Sequence, residues 1–315
     1  MPIRVGIDEN GLGPRLGPLI VTGIVADTTQ EAERALTNNA SVFLHERLAD
    51  SKRLVDHRHI GLGEAWARVI CEYVTGEAPT SPEALVTWLS LDDARVLRRP
   101  CPRHVSDQCW AAHGEAFDAT DEQMAQARLD LDRLRDAGMR VRSASCMIAC
   151  ARRINEERSN GNGRMAIDLL AMERILAETH RRAGCSILAT CGKVGGLQRY
   201  PSRFRVLTDQ LVSVVREERA ESAYRLVPLG EVRWLRDAEQ QDPLVALASL
   251  VGKCVREVLM RRIVRYYKRH DPSLPDASGY NDPVTDRFVE ATQGARRERR
   301  IPDPCFVREQ GSRQR

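Results

Sequence analysis

The chain has 315 residues, 42% hydrophobic and 29% charged, with a formal net charge of +4 at neutral pH. Those proportions describe a globular protein of one large or two modest domains and exclude a low-complexity or disordered chain. No apolar run approaches the ~18 residues of a membrane span, and the N-terminus enters a strand directly, without a signal-peptide pattern. Nine scattered cysteines with no C-x-x-C pair suit a reduced, cytoplasmic setting better than a disulfide scaffold. The mild basicity permits a nucleic-acid partner without requiring one.

Ile3 to Ile7 and Leu19 to Val25 are short apolar runs separated by a turn rich in glycine and proline, the pattern of two buried strands joined by a loop. Asp8 and Glu9 stand where the first strand meets that loop. Charge at the end of an interior strand is costly unless it is paired or bound to metal. Glycines at 11, 13 and 17 let backbone amides approach a ligand closely. An acidic pair beside an open amide loop suits a hard cation that holds a phosphate; the plainer alternative is solvated turn chemistry.

A polar helix is expected from Thr29 to His45, and a second opens near Leu48-Ala49-Asp50-Ser51-Lys52-Arg53-Leu54, capped by Asp50 or Ser51. Residues 76–138 are punctuated by prolines at 79, 82, 100 and 102 and contain a charged helix from Ala119 to Ala137. Cys101, His104, Cys109 and His113 offer thiols and imidazoles for zinc, yet the pairs lie closer together than zinc modules place them, and buried cysteines with surface histidines are the simpler reading. Arg140 to Ile148 reads as a strand. Arg164 to Arg182 is a helix whose Met165, Leu169, Met172, Ile175 and Leu176 face the core, with Asp168 on its polar side. Ser186 to Thr190 is a buried strand running into Cys191-Gly192-Lys193-Val194-Gly195-Gly196. Strands near Ala223 to Val227 and Glu231 to Leu235 complete the sheet.

The stretch Asp242 to Met260 is a helix with an apolar stripe at Leu247, Leu250, Val251, Cys254 and Val258. Ser249, Lys253 and Glu257 form a second stripe at i, i+4 and i+8. Seven cations between Lys253 and Arg269 make a basic arm that could follow a phosphate backbone or simply face solvent.

Several of these stretches resemble the type 2 ribonucleases H. The opening GIDENGLGPRLGP is similar to that family's D-E-x-G-R-G-P-x-x-G-P, with Asp8, Glu9, Gly11, Gly13, Pro14, Gly17 and Pro18 in register and Leu12 where the family has arginine. Asp50-Ser51-Lys52 resembles its D-S-K-K-L. Ala248, Ser249, Val251, Lys253, Arg256 and Met260 match A-S-I-x-A-K-x-x-R-D-x-x-M, and Ser278-Gly279-Tyr280 resembles its G-Y. The resemblance implies an α/β fold, a ribonuclease H-like mixed β-sheet flanked by helices. Residues 1–240 would form that domain, with 76–138 an insertion, and residues 241–315 a helical C-terminal segment completing the site.

It further implies a metal-dependent endonuclease that hydrolyses the RNA strand of RNA–DNA hybrids through two Mg2+ or Mn2+ ions. Asp8, Glu9 and Glu257 would hold the metal and carry catalysis. Gly11, Leu12, Gly13, Ser51, Lys52, Lys253 and Tyr280 would bind substrate, the loop amides sensing the ribose 2′-hydroxyl. The family's fourth carboxylate falls on Gly192, with Cys191 beside it, and neither is a hard oxygen ligand. A relative that binds hybrid or other nucleic acid without efficient cleavage is therefore the second reading. An unrelated phosphoesterase is a remote third, since no G-x-x-x-x-G-K-[ST] loop or histidine cluster occurs.

Overall fold

The computed structural model describes residues 1–39, 43–48 and 54–309. In chain order its elements are β1 (Ile3–Asn10), β2 (Leu19–Thr28), α1 (Gln30–Asn39), α2 (Gly61–Thr75), α3 (Pro82–Leu89), α4 (Ala94–Arg98), α5 (Arg103–Trp110), α6 (Asp121–Asp136), β3 (Met139–Ala149), α7 (Ala151–Ser159), α8 (Arg164–Ala183), β4 (Ile187–Gly192), β5 (Leu211–Glu217), β6 (Glu221–Val227), β7 (Gly230–Leu235), α9 (Pro243–Lys268), α10 (Pro283–Ala291) and α11 (Gln293–Glu298). The strands form one seven-stranded sheet in the order β3-β2-β1-β4-β7-β6-β5. β4 runs parallel to both β1 and β7, and the remaining pairs are antiparallel, so the sheet is mixed. This is the α/β architecture that the sequence motifs imply.

The period-two alternation of β1 divides the core. Val5 and Ile7 face α8 and join Leu169, Met172, Ile175, Cys191 and Trp234. Gly6 and Asp8 face the other way, toward α9. A Cβ at Gly6 would lie 2.3 Å from the backbone carbon of Leu244, so glycine there lets the helix seat directly on the strand. On the α9 face, Leu244, Leu247, Leu250, Val251 and Cys254 pack with Ile20, Ile24, Trp66 and Ile70. Residues 76–138 add Leu85, Leu89, Trp110, Met124 and Leu131 to that same core.

Two polar anchors fix the first turn of α9. The Asp242 carboxylate caps the helix by accepting from the Leu244 amide at 2.9 Å, with Pro243 at the first helical position. The same carboxylate pairs with Arg4 of β1 at 3.2 Å. The base of β1 and the start of α9 are thereby tied, which sets how far along the strand each later residue of the helix sits.

One strand has no counterpart in the sequence reading. β5 is the sheet edge, and its Leu211, Val214 and Val215 are exposed. A strand bare on both faces carries no alternating pattern to betray it. No helix among the described residues is long and apolar enough to cross a membrane.

Candidate functional site

β1 ends in Asp8 and Glu9 in the middle of the sheet. Register places Ile7 beside Cys191 of β4, and Gly192 beside Leu235 of β7. The ends of β1, β4 and β7 therefore meet, and the turn from β7 to α9 crosses above them. A cleft of about 180 Å3 opens there, lined by Asp8, Glu9, Gly192, Lys193, Asp237, Glu239 and Ser249. Burial pushes the Asp8 carboxyl well above the usual carboxylate range; Glu9 and Glu239 repel its charge further, against a hydrogen bond from Ser249 and the Glu9 amide. The cleft gathers Asp8, Glu9, Asp237 and Glu239, with Lys193 and Arg236 also in its lining.

Gly192, the residue on which the family resemblance places a fourth carboxylate, lies beside Asp8 and Glu9. A Cβ built on it would lie 2.7 Å from Asp8 Oδ1 and 3.7 Å from Glu9 Oε2. A side chain at 192 would enter the carboxylate pair only with a shift of Asp8, and glycine brings none. Cys191 is fully buried and turns to the α8 face, among Ile7, Tyr200 and Trp234.

Glu257 does not join Asp8 and Glu9. Asp8 meets α9 at Ser249, and Glu257 lies eight residues further along the helix, about 12 Å at 1.5 Å per residue. Its carboxylate is fully buried and already engaged by nitrogen groups: His57 Nδ1 at 2.9 Å, the Lys253 ammonium at 3.0 Å and the Arg256 guanidinium. Burial raises this carboxyl, but the hydrogen bond to His57 and the charges of Arg256 and Lys253 outweigh that and bring it down to about 2. Of the expected set, Asp8 and Glu9 line the cleft at the strand ends, where Glu239 lies with them, and Glu257 does not line it. Among the described residues no three His, Cys, Asp or Glu side chains gather closely enough to hold a metal ion. The donor chemistry at Asp8 and Glu9 suits a hard divalent cation, but the full set that two such ions need is not assembled.

Of the substrate-binding residues expected from the sequence, Lys253 and Tyr280 line a second cleft. It measures about 580 Å3 and is lined by His57, Lys253, Ser278, Tyr280 and Asp282. Lys253 donates to the Tyr280 hydroxyl at 3.0 Å, and the Tyr280 ring lies 4.4 Å from the Arg256 guanidinium carbon and 4.9 Å from Lys253 Nζ. The glycine loop bridges the two clefts. Gly11 has φ +86°, and a Cβ there would meet Arg256 Nε at 2.8 Å. Gly279 accepts from the amides of Arg15 and Leu16, and Asn281 donates to the Gly13 carbonyl. Leu12 packs on Leu19, Ala149, Ile154 and Ile167 instead of facing a phosphate track. Ser51 and Lys52 lie outside the described residues.

Several residues at the site carry no local signal in the sequence. Glu239 sits in a short 3-10 helix, Ala238–Gln240, without a motif. Arg308, close to the C-terminus, is buried and donates to the carbonyls of Gly17, Gly11 and Pro14. Arg164 reaches the Leu12 and Gly13 carbonyls from the start of α8. Asp168, expected on the polar side of α8, is fully buried with both carboxylate oxygens unpartnered. Burial, with repulsion from Asp8, pushes it up to about 8. The Cys101/His104/Cys109/His113 zinc arrangement does not form: His104 is exposed beside the Arg300 carbonyl, while the cysteines turn inward.

No family model matches the chain, and no curated protein does. Among solved structures it is similar to ribonuclease HII of Archaeoglobus fulgidus, determined in a complex with PCNA, at 18% identity and a TM-score of 0.43, covering 99% of this chain and 97% of that one. It is similar to the ribonuclease HIII Bst-RNase HIII in complex with Mn2+, at 13% identity and a TM-score of 0.45, spanning 66% of that longer chain. Ribonuclease H2 from Pyrococcus horikoshii OT3 follows at 15% identity and a TM-score of 0.39, with 96% and 92% of the two chains covered. These are type 2 ribonucleases H, the group whose motifs the sequence resembles. Overlap this loose leaves the reading of the site to its own residues.

Proposed function

We propose that the protein binds RNA–DNA hybrid across the glycine loop and cleaves it inefficiently or not at all. The observation that carries this reading is Gly192. The position that would project a side chain onto the Asp8–Glu9 pair has no side chain, and Glu257 is engaged elsewhere by His57, Lys253 and Arg256. A two-ion site needs several converging carboxylates to stabilise both the attacking and the leaving oxygen. Each 1.4 kcal/mol of lost transition-state stabilisation is about tenfold in rate. Three features support the binding half of this reading. Lys253 supplies a cation for a phosphate, Tyr280 a ring for a sugar, and the loop from Gly11 to Gly13 backbone amides for a ribose hydroxyl.

One observation favours the second reading, a metal-dependent endonuclease. Asp8, Glu9, Asp237 and Glu239 line one cleft, and burial, with repulsion from Glu9 and Glu239, raises Asp8. Such a cleft attracts a divalent cation such as Mg2+ or Mn2+, which would polarise a phosphodiester and activate water there.

The test uses labelled RNA–DNA hybrid with Mg2+ or Mn2+ and three proteins: wild type, Asp8→Asn and Gly192→Asp. The expected result is hybrid binding by wild type and Asp8→Asn alike, little cleavage by either, and about a hundredfold gain for Gly192→Asp, worth ~2.7 kcal/mol of barrier. Vigorous wild-type cleavage abolished by Asp8→Asn would instead establish the endonuclease. Failure of all three to bind hybrid would end both readings.

A further inference from the structure

Two arginines hold the glycine loop from behind. Arg308 donates from Nε to the Gly17 carbonyl at 2.7 Å, and from Nη1 to the carbonyls of Gly11 at 2.5 Å and Pro14 at 3.4 Å. Arg164 Nη1 reaches the Leu12 carbonyl at 3.4 Å and the Gly13 carbonyl at 3.3 Å. The Arg308 side chain is 1% exposed, and its Nη2 has no hydrogen-bond partner among the described residues. Burial, then repulsion from Arg256 and Arg164, lowers it well below the ordinary guanidinium range. A buried cation held by carbonyls alone is costly to keep, so stability is a poor reason for its place at the loop.

Each held carbonyl also fixes the amide behind it. The peptides of the loop are trans, and in a trans peptide the C=O of one residue and the N–H of the next point in opposite directions. With the Gly11 carbonyl on Arg308, the Leu12 amide points away from that buried guanidinium. With the Leu12 carbonyl on Arg164, the Gly13 amide points away from Arg164. The Gly13 and Gly17 carbonyls precede prolines, so no N–H stands behind either. The Pro14 carbonyl has the Arg15 amide behind it, and that amide is taken by the Gly279 carbonyl at 2.8 Å. The amides of Leu12 and Gly13 have no partner among the described residues. Gly13 is exposed, with open space where a Cβ would stand.

We propose that Arg308, assisted by Arg164, is the positioning residue for ribose recognition: its grip on the loop carbonyls presents the Leu12 and Gly13 amides as donors to the 2′-hydroxyl oxygen of an RNA strand. The inference rests on the hybrid-binding reading and adds what sets the selectivity of the loop for RNA. A guanidinium suits the task because Nε and Nη1 leave it as a rigid fork, whereas a lysine ammonium is a single point that cannot span the carbonyls of residues 11, 14 and 17. The segment that carries Arg308 is itself docked: Asn155 of α7 donates to the carbonyls of Pro304 at 2.9 Å and Val307 at 2.8 Å.

The test compares full-length wild type, Arg308→Lys and Arg164→Lys by fluorescence anisotropy, in EDTA so that no cleavage intervenes. The probes are a labelled RNA–DNA hybrid and a DNA duplex of the same sequence. Arg308→Lys should weaken hybrid binding about tenfold, the worth of one or two hydrogen bonds, and duplex binding by less than about twofold. Arg164 is only half-buried, so Arg164→Lys decides the matter if Arg308→Lys fails to fold; it should shift the hybrid-to-duplex ratio the same way by about two- to threefold. A structural loosening of the loop, or amides that grip phosphate instead of ribose, would lower both affinities together. That result, or a ratio unchanged in both variants, would overturn this inference alone. Failure of the wild type to bind hybrid would end the hybrid-binding reading and this inference with it.

Discussion

Two buried carboxylates lie along one stripe of α9, and the protein treats them in opposite ways. Asp8 meets the helix at Ser249, among other acids, and its proton is held more tightly than usual. Glu257, two turns on, is encased by His57, Lys253 and Arg256 and surrenders its proton near pH 2. A buried carboxylate with its own cations is a finished structural unit. One without them is strained until a cation arrives. Only the first end of the stripe therefore has the electrostatic character of a metal site, and sequence spacing alone does not separate the two.

The sharpest way to break the contrast is to neutralise each acid in turn. Glu257→Gln leaves Lys253 and Arg256 buried without their anion and should destabilise the fold by about 3–5 kcal/mol in urea unfolding. Asp8→Asn replaces a buried acid that its neighbours repel and should not destabilise the protein at neutral pH. Equal losses in the two variants would mean that Asp8 is compensated after all.

Titration separates the acids as well. The folded-state pKa of Glu257 lies below its ordinary value of 4.5, so its contribution is complete above pH 4.5 and fades as pH falls toward 2. Asp168 has the opposite sign. Its folded pKa of about 8 lies above the ordinary 3.8, so the folded state binds the extra proton between those values and stability falls as pH rises through that window. With the shared repulsion from Asp8 discounted, the loss is on the order of 3 kcal/mol. Asp168→Asn should flatten stability between pH 4 and 8, and Glu257→Gln should flatten it only on the acid side. An unchanged alkaline slope in Asp168→Asn would place the proton on Asp8 instead.

The sequence made the frame readable because the frame is made of periodic elements. β1, β2, β4 and α9 are apolar runs of the right length, and the Asp8-Glu9 turn announces itself by its glycines. What escaped notice depends on tertiary placement. The i, i+4, i+8 stripe of Ser249, Lys253 and Glu257 is real, yet a 12 Å separation along the axis assigns its ends to different clefts. Glu239 has no motif because a short 3-10 helix delivers it. Asp168 falls between apolar positions of α8 and resembles a surface residue until the strand ends of the sheet are laid over it. Arg308 reaches the loop from nearly three hundred residues away in the chain. Gly192 is the instructive exception: its importance was legible as a missing side chain, and the register of β4 beside β1 gives that gap its location.

The smallest effect tests whether the Glu257 end of the stripe serves binding. Tyr280 is 38% exposed, so its ring can meet a ligand while its hydroxyl takes the Lys253 hydrogen bond. Tyr280→Phe keeps the ring against Arg256 and frees Lys253 from one acceptor; Lys253 still has Glu257 at 3.0 Å. Stability should change by less than about 1 kcal/mol, and hybrid affinity should fall about two- to fivefold, a modest effect because Lys253 keeps its Glu257 partner. Tyr280→Ala also removes the stacking surface and should cost about tenfold or more. A drop of the same size in both variants would assign the contact to the hydroxyl and its hold on Lys253. No drop in either would remove the Lys253–Tyr280 cleft from the nucleic-acid face and leave the glycine loop to bind alone.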